Sequence, residues 1–110
     1  MKNLKKLSIE YFDLFSNKDI EKLKEMFDSS INLRDWEINA RGIEEVIKAN
    51  LNIFNSVDTI KVNPILIVEQ DQYIFAELDI VVNDKESLKV VDIIEFNEKS
   101  KITNIRAFKG

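Results

Sequence analysis

The feature that most constrains this chain is a change of hydrophobic period near residue 57. Before it, apolar residues recur at helical spacing; after it, four stretches alternate apolar and polar residues at period two. Strands are predicted at about 59–69, 73–82, 87–97 and 101–108. Gln70-Asp71-Gln72, Asn83-Asp84-Lys85-Glu86 and Asn97–Ser100 are polar connections short enough for hairpins. Pro64 lacks an amide donor, so the first long strand is expected to be an edge or to carry a bulge there.

The first half supplies what can cover such a sheet. Residues 3–16 read as an amphipathic helix with Leu4, Leu7, Tyr11, Leu14 and Phe15 on its stripe. Asn17-Lys18 interrupts it, and Asp19 is a good N-cap for a second helix carrying Ile20, Leu23 and Phe27. Asp28-Ser29-Ser30 is turn chemistry, and Ile31-Asn32-Leu33 reads as a short strand running into Arg34-Asp35-Trp36. Gly42 precedes a third helix, with Glu44 and Glu45 in its first turn and Ile43, Val46, Ile47, Leu51 and Phe54 on its apolar face. Helices followed by a run of strands imply an α+β fold: three N-terminal-half helices packed on a strongly curved antiparallel sheet. The expected domain is a single one spanning residues 1–110, a cone with an open end suited to a small molecule.

Composition narrows the chemistry. The chain has no histidine and no cysteine, which removes Ser-His and thiolate mechanisms and the commonest nitrogen and sulfur metal ligands. Acid–base work would fall to Asp, Glu, Lys or Tyr. The net charge of −4, without a long basic block, argues against a nucleic-acid partner. No apolar run approaches the ~20 residues that span a bilayer, so no membrane association is expected and the cytoplasm is the default location. Nothing in the sequence calls for a metal or a cofactor.

Within Leu88–Phe96 one residue breaks the pattern. Leu88, Val90, Ile94 and Phe96 share a strand face, and Asp92 shares it with them. A buried carboxylate is costly unless it is neutralised or hydrogen-bonded, and desolvation favours its protonated form. The strand 73–82 raises a related question. One face reads Ile74, Ala76, Leu78, Ile80, Val82; the other reads Tyr73, Phe75, Glu77, Asp79, Val81. If the second face looks inward, Glu77 and Asp79 join Asp92 in an acidic pocket; if the first does, they are solvent-facing.

The order helix–helix–strand–helix–four strands resembles the SnoaL-like, nuclear transport factor 2-like superfamily. The matching segments are Tyr11-Phe12 … Lys18-Asp19, Met26-Phe27-Asp28, Arg41-Gly42-Ile43 and Val91-Asp92-Ile93-Ile94-Glu95-Phe96 … Lys101-Ile102 … Arg106-Ala107-Phe108. The resemblance implies the cone-shaped roll of that superfamily, also called cystatin-like. Laid along its ketosteroid isomerases, Asp35 looks like the general base, and Tyr11 with a protonated Asp92 like the two oxyanion donors. This would be an isomerase or lyase removing a proton next to a carbonyl. The alternative is a non-catalytic ligand-binding or dimerising module on the same fold. Trp36, Phe75, Glu77, Asp79 and Ile105 are the expected ligand contacts. A homodimer through the outer sheet face is the expected assembly.

Overall fold

The computed structural model describes residues 3–110 and arranges them as helices over one face of a sheet. Helix α1 spans Leu4–Ser16, and the Asn3 side chain accepts a hydrogen bond from the Lys6 amide at 3.1 Å, satisfying a first-turn donor. Helix α2 (Ile20–Met26) is capped in the same way by Asp19. Between them Lys18 takes a left-handed backbone, φ 55°. Its Nζ donates to the carbonyls of Phe54, Val57 and Asp58 at 2.9, 2.7 and 3.1 Å. Helix α3 spans Ile43–Ser56, so this ammonium sits at its carboxyl end, where the helix dipole favours a cation. The corner joining the first two helices is thereby fixed to the end of the third.

Gly42 turns the chain into α3 with φ 84°, a conformation that strains any residue carrying a Cβ. Six strands follow the order β2-β1-β6-β5-β4-β3, with β1 Phe27–Arg34, β2 Asn39–Arg41, β3 Ile60–Gln70, β4 Tyr73–Val82, β5 Glu86–Phe96 and β6 Ile102–Lys109. Pro64 meets both of its expectations: β3 is an edge, and its register with β4 shifts between Pro64 and Leu66. The edge is tied down from above. Ser16 Oγ accepts from the Val62 amide at 2.9 Å and donates to the Phe12 carbonyl at 2.8 Å.

The sheet departs from the sequence expectation in three places. Strand β1 starts at Phe27, so Asp28-Ser29-Ser30 lies within a strand. Its turn chemistry survives locally, because Asp28 Oδ2 accepts from the Ser30 amide and hydroxyl at 3.0 and 2.6 Å, and the ladder to β6 breaks between Phe27 and Asn32. Strand β1 pairs with β6 in parallel, Leu33 opposite Ile105, so the sheet is mixed rather than wholly antiparallel. Strand β2 was not anticipated; with only Ala40 of its three residues buried, it carries no readable period.

The helices bury an apolar layer on the inner sheet face, centred on Phe12, Leu23, Ile31, Ile74, Ile94, Phe96 and Ile102. Each such side chain contributes roughly 1.5–3 kcal/mol on leaving water. No described helix is long and apolar enough to cross a membrane.

Candidate functional site

The inner face is packed along one half of its strands and open along the other. On β4, Ile74 and Ala76 belong to the packed half, while Leu78, Ile80 and Val82 line a cavity of ≈ 340 Å³. On β5, Ile94 and Phe96 are packed, while Val90 and Leu88 line the same cavity. Asp92 is the boundary residue between these halves. Its cross-strand neighbours are Ala76 on β4 and Ala107 on β6. Alanine carries one side-chain carbon, so neither neighbour reaches over the carboxyl, and Asp92 lines the cavity.

Asp92 is 8% exposed, and its carboxyl makes no hydrogen bond among the described residues. Burial, and then the negative charge of Asp35, push its pKa up to about 7. At neutral pH a large fraction of Asp92 is therefore an acid, able to donate its O–H. Tyr11 enters from α1, on the same buried side as Phe12. Burial, and then the charge of Asp92, raise its hydroxyl well above the usual tyrosine range, which keeps it a donor at any physiological pH.

Asp35 stands just past the end of β1 and is half-buried. Its Oδ1 accepts from the amides of Glu37 and Ile38 at 2.7 and 2.6 Å, while its own amide donates to the Ile38 carbonyl at 2.9 Å. This is the turn role an aspartate often takes after a strand. It also holds the carboxylate in place on the cavity wall, near enough for its charge to act on Asp92.

Trp36 is 43% exposed and lies at the mouth with the exposed side chains of Glu37, Glu86 and Lys109. Lys109 Nζ sits 5.8 Å from the Trp36 ring centroid, a cation–π distance. The indole forms a rim and does not plug the space. Ile105, from β6, contributes to the inner wall.

The structure thus brings Tyr11, Asp35, Trp36, Asp92 and Ile105 to one cavity. It does not bring Phe75, Glu77 or Asp79 there, which corrects the expectation that they contact a ligand. They alternate with the buried Ile74, Ala76 and Leu78, and so face the outer side of the sheet. The helices offer that inner layer apolar side chains, and two more carboxylates among them would be left without partners. Outside, Asp79 accepts hydrogen bonds from Ser87 and from Lys89 Nζ, which hold its carboxyl below the usual carboxylate range. The cavity is apolar-walled, not acidic throughout.

One polar residue was missed. Helix α3 turns Asn50, 2% exposed, inward and leaves Leu51 39% exposed. Reading Leu51 into the stripe followed hydrophobicity; the spacing Val46, Asn50, Phe54, at i, i+4 and i+8, was the available signal.

No protein-family model matches the sequence, and no curated protein matches it. Solved structures do share its fold. A candidate SnoaL-like polyketide cyclase from Shewanella denitrificans OS-217 superposes with a TM-score of 0.87 at 10% identity, over 97% of this chain and 90% of that one. A candidate ketosteroid isomerase from Kribbella flavida DSM 17836 gives 0.85 at 12% identity, over 97% of this chain and 77% of that one. A de novo designed protein with a curved β-sheet gives 0.81 at 17% identity, over 100% of this chain and 88% of that one. Fold and activity are separable in this company.

Proposed function

We propose that this chain, which has the SnoaL-like (NTF2-like) fold, binds a small neutral carbonyl compound and moves a proton at the adjacent carbon. The observation that carries the reading is the convergence of Tyr11, a largely neutral Asp92 and the Asp35 carboxylate on a cavity whose inner wall is mainly apolar. Tyr11 and protonated Asp92 would donate to the carbonyl oxygen, where negative charge develops as the enolate forms. Asp35 would take the proton and return it to the same or a neighbouring carbon. Leu78, Ile80, Leu88 and Val90 would hold the apolar body of the ligand. At ≈ 340 Å³ the space lies at the small end for ligand sites and suits a monocyclic or bicyclic compound.

The direct test is proton exchange. Cyclic ketones in D₂O should lose their α-protons faster with the protein present, followed by NMR, and Asp35→Asn should slow that exchange by about 100-fold or more. An unchanged rate in Asp35→Asn rejects the base. The hydrogen bonds that Asp35 makes within its own turn favour a second reading, a binding module without turnover. That reading predicts saturable, stoichiometric ketone binding, no exchange, and indifference to Asp35→Asn.

The outer sheet face supports a homodimer. Leu66, Val91 and Phe108 occupy one cross-strand row with Glu77, and Val68 and Phe75 pair in the next; all five apolar side chains are exposed. A second copy covering this face would leave both cavities open on the opposite side of the sheet.

A further inference from the structure

Asn50 lines the cavity from the middle of α3, one turn from Val46 and one from Phe54. Its Nδ2 is buried and has no hydrogen-bond partner among the described residues. An unpaired buried amide is destabilising, and asparagine is also a weaker helix former than leucine. A leucine at this position would avoid both costs. The only other described side-chain atom in this condition, Ser8 Oγ, does not line the cavity. Asn50 lines the cavity with this amide turned off the accessible wall, and a turn of the carboxamide about χ2 would present it to an occupant as its partner.

The identity of that partner follows from valence. A carbonyl oxygen has two lone pairs, and Tyr11 and Asp92 would use both. The amide of Asn50 therefore needs a different acceptor. An anionic group is disfavoured, because the Asp35 carboxylate shares the cavity. We infer that Asn50 is a second polar anchor, and that the ligand is a compact neutral ring compound carrying two oxygens: the carbonyl held by Tyr11 and Asp92, and a second carbonyl or hydroxyl held by the Asn50 carboxamide. This inference rests on the carbonyl-binding reading of the cavity.

The probes are 2-decalone, with one oxygen, and the isomeric decalindiones and hydroxy-2-decalones, with two. At least one two-oxygen probe should bind the wild type about tenfold tighter than 2-decalone and move the Asn50 side-chain amide resonances. In Asn50→Leu, and in Asn50→Ala as a second variant that leaves the space unfilled, that advantage should disappear while 2-decalone still binds. The melting temperature of Asn50→Leu should rise, because the unpaired amide is gone. Equal binding of all probes to the wild type overturns the inference, as does an advantage that persists in both variants. A melting temperature of Asn50→Leu below wild type gives the amide a structural role and also overturns it. The carbonyl reading fails separately if 2-decalone leaves the Asp92 carboxyl resonance unmoved while two-oxygen probes still move Asn50. A wild type on which no probe acts overturns both.

Discussion

Asp92 and Asp79 stand on neighbouring strands of one sheet and face opposite sides of it. Asp79 has Lys89 directly across the ladder and Ser87 nearby, and both donate to it. Asp92 has Ala76 and Ala107 across its two ladders and no donor. The same side chain is thus held as an anion on one face and pushed toward a neutral acid on the other. Residue type did not decide this; the side of the pleat did, through the neighbours it supplied.

The largest effect belongs to Asp92. Its folded pKa of about 7 lies above the ordinary aspartate value of 3.8, so the native state keeps the proton longer than the unfolded chain. Stability from this group is fully present below about pH 4, falls as pH rises toward 7, and levels off above that. At roughly 1.4 kcal/mol per unit, the loss reaches up to about 4 kcal/mol. Asp92→Asn should therefore be more stable than wild type at pH 8 by up to that amount, and match it near pH 3. Urea unfolding across that range measures the difference; a gap independent of pH would mean the carboxyl is not held protonated.

The outer face gives an intermediate effect. Phe108→Glu places a charge in the exposed apolar row and should convert a homodimer to monomer in sedimentation velocity while leaving monomer folding intact. A wild type that sediments as a monomer at high concentration rejects the dimer.

The smallest effect belongs to Asp79. Its depressed pKa gives stability that is present at neutral pH and lost as pH falls through the lowered value, the opposite slope to Asp92. Because the pair with Lys89 is solvent-exposed, Asp79→Asn should lower the melting temperature by a few degrees at most, with the gap closing in acid. A large loss would mean that the outer face has a buried electrostatic role of its own.

The four long strands were legible because a period of two survives wherever one face is buried, and Asp92 announced itself by interrupting that face. The orientation of β4 was not legible. Phe75 and Val81 make its outer face look half-buried, and only the helices overhead decide which side is sealed. Asn50 was hidden because a polar residue inside an apolar stripe reads as a stripe boundary, and Leu51 stood ready to take its place. The break in β1 was legible as Asp28-Ser29-Ser30 chemistry, though not as an event inside a strand. The parallel pairing of β1 with β6 had no local signal, since both partners are satisfied by any strand of compatible register.

That pairing governs the order in which the molecule can be completed. Strand β1 finds β2 close by in sequence, but its other neighbour is β6, and Leu33 waits for Ile105. During synthesis the helices and the β3–β4–β5 meander leave the ribosome before that partner does. Closing so distant a contact is slow, because the intervening chain has to be ordered first. Within the sheet, the wall that carries Asp35 joins the wall that carries Asp92 through β6. A chain released without β6 would hold β3, β4 and β5 with Asp92 but lack the Ile105 wall and the strand that links them to β1.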